Sequence, residues 1–303
     1  MTDDPLLTTI RLGRAKLSIE GLSIGDAYGN HHGSNQRKNA AQIWQFSDDT
    51  LMALSIYENL REFGEINQDA LAQSFADRWD AQRGYGQGVT RLLKSISRGG
   101  DWRQTTIQMF EGQGSYGNGA AMRVAPVGAY FADTLDKVVQ QATLSASVTH
   151  AHPEGIAGAI AVAVAAALIS QSHRSDAVPD WKMWLDQVIQ YVPESEVRRK
   201  IVDALKLDIS ISVSEAANVL GNGRPAIAQR TVPFALWAAS HVLGDYKKAI
   251  RQTASVGGDI DTNCAIVGSI VVIYTGIQGI PEEWLRRREP LPAWAFGNGE
   301  TTF

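Results

Sequence analysis

The chain has 303 residues, 44% of them hydrophobic, and a formal net charge of −4 at pH 7. A negative charge without a block of Lys or Arg argues against broad nucleic-acid binding, and the single Cys264 excludes an internal disulfide and a four-cysteine zinc site. The N-terminal segment carries two early acids and lacks the apolar core of a signal peptide, so we expect a cytoplasmic protein. We also expect a monomer.

Helical patterns recur along the chain. Ser47 is the predicted N-cap of a helix that carries Asp48 and Asp49 in its first turn and ends at Gly64, and a second pattern runs from about Asp69 to Trp79. Later helices are predicted over the segments LDKVVQQATLSASV, WKMWLDQVIQYV, ESEVRRKIVDALKL, VPFALWAASHVL, YKKAIRQTASV and TNCAIVGSIVVIY. The alternating run 209–213 is too short to build a sheet. We therefore predict one compact all-α domain over residues 1–303.

An apolar segment and four glycine-rich stretches bear on this predicted all-α fold. The segment GIAGAIAVAVAAALIS, residues 155–170, is apolar but short for a membrane span, and its small residues favour tight packing inside a protein, so we expect no membrane partner. Glycines concentrate in 21–33, 84–88, 112–119 and 257–258. We interpret these stretches as loops or close backbone approaches.

The segments Ser47-Asp48-Asp49 and Asp259-Ile260-Asp261-Thr262 repeat one pattern, a hydroxyl with two acids at a helix start. Each segment alone is explained by first-turn acids that complement the helix dipole. An EF-hand is excluded, because Cys264 stands where its glycine is needed and Ile270 where its glutamate is needed. Four converging carboxylates would repel unless cations lay between them, and oxygen ligands select Mg²⁺ or Mn²⁺ over zinc. The pair therefore predicts a metal site.

Two further segments are candidate ligand contacts. The glycine-rich run from Gly112 to Arg123 can present backbone N–H groups to phosphate, although tight helix packing explains it equally well and it lacks a Walker A ending. His150 and His152 stand before a helix opened by Pro153, where capping is as good an interpretation as ligand binding.

Taken in order, the motifs GLSIGDAYG, FSDDTLMAL, RGYGQG, GSYGNGAAMRVAPVG, THAHPEGIAGA and SVGGDIDTNCAIVGSI resemble those of the ADP-ribosylglycohydrolases over nearly the whole chain. The resemblance implies an all-α fold with two Mg²⁺ (or Mn²⁺) in a cleft, and hydrolysis of an ADP-ribosyl group at its anomeric carbon. The implied metal ligands are Ser47, Asp48, Asp49, Asp259, Asp261 and Thr262. The implied ADP-ribose contacts are Gly114, Ser115, Tyr116, Gly117, Asn118 and His150.

The resemblance also implies roles in catalysis and two departures. Asp259 is expected to help orient the attacking water. Many members carry a glutamate shortly after the first motif, but Gly33 occupies that place here, so His31 or His32 takes over proton handling, metal-bound water suffices, or activity is reduced. The loop Arg83–Gly88 lacks the acid that arginine-specific members use. The alternatives to an ADP-ribosyl hydrolase are a weakened ADP-ribose-binding protein and a metallohydrolase for another N-glycoside or nucleotide sugar.

Overall fold

The computed structural model describes residues 4–33, 42–172, 179–208 and 210–297. Within these ranges the regular structure is helical, apart from two isolated bridges, so the predicted all-α fold is confirmed. The α-helices are α1 (Pro5–Gly33), α2 (Asp48–Phe63), α3 (Gln68–Asp77), α4 (Gln87–Ile96), α5 (Trp102–Gly112), α6 (Ala125–Tyr130), α7 (Leu135–Ser147), α8 (Pro153–Ser172), α9 (Trp181–Tyr191), α10 (Glu196–Leu205), α11 (Val213–Leu220), α12 (Ala228–His241), α13 (Tyr246–Ser255), α14 (Ile260–Thr275) and α15 (Glu282–Arg287).

Helices α1 and α14 share the most extensive interface between elements in the described chain. Gly21, Gly25 and Gly29 recur every fourth residue and therefore lie on one face of α1. A Cβ added at Gly25 would lie 2.1 Å from the Cys264 carbonyl oxygen, and one at Gly29 would lie 2.5 Å from the Asp261 Cα. These glycines were predicted to be a loop or a close approach, and they are a close approach within a helix. The contact places the start of α14 against the C-terminal part of α1.

Helix α8 runs through the core and contacts α6, α7, α9, α12 and α14. By length and composition it is the one described helix that could span a membrane, and 83% of its most apolar window is buried inside the protein. Close contact explains its small residues: a Cβ added at Gly128 of α6 would lie 1.9 Å from the Ala163 carbonyl oxygen. The alanine-rich segment thus forms part of the protein core, as its composition predicted.

Local signals located several helix ends correctly. Ser47 accepts a hydrogen bond from the Asp49 N–H as the N-cap of α2, and Gly64 ends that helix with a φ of 70°. Helix α1, with 29 residues, is absent from the predicted set. The alternating run 209–213 forms no strand in its described part, since Ser212 caps α11 by accepting from the Glu215 N–H; residue 209 lies outside the described residues.

Candidate metal centre and substrate cleft

The two acid motifs and the glycine-rich loop line one cleft of about 470 Å³. Asp48 and Asp49 enter it from the start of α2, and Asp259 and Asp261 enter it from the start of α14. The glycine-rich loop forms a second wall, and the segment 84–91 forms a third. The structure therefore brings together two motifs that lie more than two hundred positions apart in the chain.

Asp26, on α1, anchors the first motif. Its fully buried carboxylate accepts hydrogen bonds from the Ser47 N–H (2.9 Å), the Thr50 N–H (3.1 Å) and the Thr50 hydroxyl (2.5 Å). Oxygens of Asp26, Asp49 and Asp261 lie within 4.8 Å of one another and could hold a metal ion. Sequence reasoning missed Asp26 as a site residue. The available signal was an acid between Gly25 and Gly29, two of the glycines through which α1 packs closely against α14.

Asp49 is the most enclosed acid that lines the cleft, at 2% exposure. The Ser47 hydroxyl donates to its Oδ2 at 2.9 Å, whereas its Oδ1 is buried with no hydrogen-bond partner among the described residues. A buried carboxylate oxygen without a partner is costly, and a cation at that oxygen would remove the cost. Burial, followed by the charges of Asp26 and Asp261, holds the pKa of Asp49 well above its usual range.

The second motif is held by the glycine-rich loop. The Asn118 amide donates to Asp259 Oδ2 at 2.6 Å and to the Thr231 hydroxyl at 3.0 Å. Burial and the neighbouring Asp261 charge raise the pKa of Asp259 to about 7. The buried Thr262 donates its N–H to Asp261 Oδ1 at 3.0 Å. One amide therefore links a predicted substrate loop to a predicted metal ligand.

These residues fit a divalent cation. Five of the six predicted metal ligands line the cleft, and Ser47 lies behind Asp49. Burial and neighbouring acids also raise the pKa of Asp48 well above its usual range and that of Asp26 to about 7. Buried carboxylates that repel one another are stabilised by a cation between them, and an all-oxygen donor set suits a hard ion such as Mg²⁺ or Mn²⁺.

The glycine-rich loop is fixed by backbone contacts. The Ala228 N–H donates to the Tyr116 carbonyl at 3.0 Å, and the Asn118 N–H donates to the Ala226 carbonyl at 3.3 Å. The predicted contact residues Ser115, Tyr116, Gly117 and Asn118 line the cleft. Gly114 is not among the lining residues. Its φ is +73°, and a Cβ there would lie 2.7 Å from the backbone nitrogen of His152. Gly114 therefore allows a tight turn and a close backbone approach behind the loop.

Two aromatic side chains flank this loop. Phe110 is 51% exposed and Tyr116 is 40% exposed, and both line the cleft. Phe110 has a φ of 52° and its neighbour Glu111 a φ of 61°, a left-handed pair that interrupts α5. Such strain in non-glycine residues is more frequent at functional sites. Sequence reasoning did not single out Phe110.

His150 also lines the cleft, with a side chain that is 2% exposed. Its Nε2 lies 3.2 Å from the positions that Cβ atoms would take on Gly117 and Gly119, so the ring edge fits between two glycines of the loop. Burial and the charge of Arg123 lower the pKa of His150 to about 3. The imidazole is therefore neutral at physiological pH.

His31 and His32, the predicted proton-handling residues, do not lie in the cleft. His32 donates from Nδ1 to the Tyr28 carbonyl at 2.7 Å and stacks on the Tyr28 ring, with centroids 3.8 Å apart. His31 stacks on Trp44 with centroids 5.7 Å apart. Neither histidine is among the cleft-lining residues of the described chain. Their place in an aromatic cluster gives no support to the predicted role.

Comparisons with known proteins agree with this geometry. The model of the ADP-ribosylglycohydrolase family matches residues 7–297. The chain is 30% identical to the chicken (Gallus gallus) ADP-ribosylhydrolase ARH3 over 88% of this chain and 78% of that protein, and 31% identical to the human (Homo sapiens) protein over 79% and 73%.

A solved structure described as an ADP-ribosylglycohydrolase-related protein complex superposes with a TM-score of 0.67 at 22% identity. The match covers 93% of this chain and 94% of that one, which shows a shared fold. The family match over residues 7–297 and the relatives at 30% and 31% identity also identify the family. The chain belongs to the ADP-ribosylglycohydrolase family.

Proposed function

We propose that the chain is a divalent-cation-dependent hydrolase that breaks the bond between the anomeric carbon of an ADP-ribosyl group and its acceptor. The observation that carries the proposal is the single cleft in which both acid motifs meet, with the buried Asp49 Oδ1 left without a partner among the described residues. The similarity to proteins named ADP-ribosylhydrolase supports the substrate class.

The acids of the cleft would hold two Mg²⁺ or Mn²⁺, with Thr262 as a hydroxyl ligand; Ser47, predicted as a further ligand, lies behind Asp49 and would orient that carboxylate. A bound cation stabilises negative charge on oxygen and makes water a better nucleophile at neutral pH. Asp259 orients the attacking water, and Asn118 fixes that carboxylate through its 2.6 Å hydrogen bond. Asp26 holds the start of α2 in place through its contacts with Ser47 and Thr50.

The remaining walls of the cleft suit ADP-ribose. The 20-residue helix α8 begins behind the glycine-rich loop, where a Cβ at Gly155 would lie 2.8 Å from the Ser115 carbonyl oxygen. A helix start with glycine-rich backbone favours a diphosphate. The exposed rings of Phe110 and Tyr116 offer stacking surfaces for the adenine base. The loop wall of the cleft would thus bind the nucleotide, next to the acids that would hold the cations.

The acceptor side favours an O-linked acceptor over arginine. Apart from the four motif acids, no carboxylate lines the cleft in the described chain. A guanidinium is recognised best by a carboxylate that accepts two parallel hydrogen bonds. Arg91, in the wall of the cleft formed by segment 84–91, would repel a cationic acceptor.

The test is release of free ADP-ribose from serine-linked, O-acetyl and arginine-linked substrates, with Mg²⁺ and with EDTA. We expect Mg²⁺-dependent release from the two O-linked substrates and slower release from arginine. Asp261→Asn serves as the inactive control. If metal binding is demonstrated and none of the three substrates is cleaved, the proposal is wrong.

A second candidate is an ADP-ribose-binding protein with little turnover. Gly33 favours it, because this position lacks the acid that many family members carry, and a Cβ at Gly33 would meet only Ile260, at 3.7 Å, among the described residues. Calorimetry separates the two candidates. Tight ADP-ribose binding without hydrolysis supports the binding protein, and turnover rejects it.

A further inference from the structure

Arg123 is a fully buried cation beside the cleft. Its guanidinium donates to the Gly119 carbonyl at 3.1 Å, to the Ser145 carbonyl at 3.2 Å and to the Thr149 hydroxyl oxygen at 2.8 Å. Burial lowers its pKa to about 9, so it remains protonated at pH 7. Because a guanidinium has only donors, Thr149 must accept from it and cannot donate to it.

The Thr149 hydroxyl has one other partner among the described residues, His150 Nδ1 at 2.6 Å. A hydroxyl carries a single proton, and at fully buried Thr149 that proton needs an acceptor. Were Nδ1 protonated, both neighbours would donate to the hydroxyl, and its own proton would have no acceptor. Were Nδ1 unprotonated, the Thr149 hydroxyl would accept from Arg123 and donate its own proton to Nδ1, so that proton would have an acceptor.

We propose that Arg123 and Thr149 are positioning residues that fix His150 as the tautomer protonated at Nε2. The ring is neutral at physiological pH, which leaves the choice between the two tautomers to its neighbours. Donation runs in one direction, from the guanidinium to the hydroxyl and from the hydroxyl to Nδ1. The cleft then receives an N–H donor between Gly117 and Gly119, where the other tautomer would present a lone pair.

The tautomer protonated at Nε2 also favours the binding of ADP-ribose, an inference that rests on the proposed function. An Nε2–H favours an oxygen acceptor, such as a phosphate or ribose oxygen of ADP-ribose, and a lone pair at the same place would repel a phosphate oxygen. A neutral donor also adds no charge near the acid motifs, so it does not compete with a cation for their carboxylates.

The direct test is a long-range ¹H–¹⁵N correlation spectrum of the full chain labelled with ¹⁵N-histidine. The His150 signals are assigned by their loss in His150→Gln. We expect a protonated Nε2 and an unprotonated Nδ1 that stay unchanged between pH 6 and pH 8. A proton on Nδ1, or a charged ring in this range, overturns the proposal.

Thr149→Val removes the hydroxyl at nearly constant shape. We expect the Nδ1 signal to shift and the second tautomer to become populated. ADP-ribose affinity should fall roughly tenfold, since a ring without a proton on Nε2 cannot donate a hydrogen bond to a charged phosphate oxygen. Thr149→Ser should restore both properties. Thr253→Val is the matched control, because Thr253 is buried in α13 and donates only within that helix, to the Ala249 carbonyl. Unaltered tautomer and affinity in Thr149→Val overturn the positioning role.

The two proposals fail separately in this design. If the wild-type chain has Nε2–H but binds no ADP-ribose, the substrate assignment is wrong and the tautomer assignment stands. If it binds ADP-ribose but is protonated at Nδ1, the reverse holds. Should Thr149→Val not fold, the wild-type spectrum still decides the tautomer, and Thr149→Ala, which also removes the hydroxyl, tests the positioning role by the same two measurements.

Discussion

The two acid motifs look alike in sequence but are supported differently. The first begins α2, where Ser47 caps the helix and Asp26 accepts hydrogen bonds from the same turn. The second follows Gly257 and Gly258, which have φ values of 67° and 84°, and Asp259 makes no side-chain capping bond as the N-cap of α14. Its carboxylate instead accepts from the Asn118 amide.

This difference separates two tasks. The first motif is fixed by helices α1 and α2, and Asp49 is almost fully enclosed. The second motif is partly exposed and is tied to the loop proposed to bind substrate. We therefore expect the first motif to set the strength of cation binding and the second to couple the cation to the substrate.

Replacing a carboxylate of the first motif should have the largest effect. Asp49→Asn should lower hydrolysis by more than about a hundredfold, since even groups behind metal ligands cost ten- to hundredfold. It should also raise the melting temperature in EDTA, because one buried like charge is gone. Activity assays and thermal unfolding with and without Mg²⁺ test both parts. A metal-dependent stabilisation equal to that of the wild type would contradict the role of Asp49.

The contact between α1 and α14, which brings the two motifs together, can be disturbed at Gly25. Gly25→Ala should destabilise the fold by about 1–3 kcal/mol, because its Cβ would meet the backbone of α14 at 2.1 Å. Gly13→Ala is the matched control on the same helix, with nothing within 4 Å, and should stabilise by about 0.5–1 kcal/mol. Urea unfolding measures both values. Equal effects would mean that the helix contact is not tight.

The coupling through the second motif is tested at Asn118. Asn118→Ala should lower kcat about ten- to hundredfold, because Asp259 loses its orienting hydrogen bond. Thr231→Val removes only the other partner of the amide and should change kcat less than about threefold. If both variants behave alike, Asn118 acts through the loop and not through Asp259.

Local features of the fold were predictable, and contacts between distant segments were not. The N-cap at Ser47 and the helix end at Gly64 depend on neighbouring residues, and both are confirmed. The role of Asp26 depends on partners more than twenty residues away, and the Asn118–Asp259 bond spans 141 positions. The repeated acid pattern and the family resemblance predicted that the two motifs meet, but of the contacts that bring them together the sequence showed only the glycines at every fourth residue of α1.

The positions of the two histidines after the first motif follow from helix geometry. Within a helix each residue turns about 100° around the axis, so residues five and six positions beyond Asp26 leave its face. His31 and His32 accordingly meet Trp44 and Tyr28. The family resemblance placed the motif correctly, but the helix directs these side chains elsewhere.

The smallest effect concerns Gly33, at the end of α1 beside Ile260, which lies between Asp259 and Asp261. A Cβ there meets Ile260 at ordinary contact distance, so a longer side chain should be tolerated without loss of stability. If the missing acid limits turnover, Gly33→Glu should raise kcat severalfold, whereas Gly33→Gln, of equal size but uncharged, should not. Single-turnover kinetics with an O-linked substrate measure this difference. Equal rates in both variants would mean that the second acid motif already supplies all the proton handling that the reaction needs. The two acid motifs would then be sufficient for catalysis without an acid at position 33.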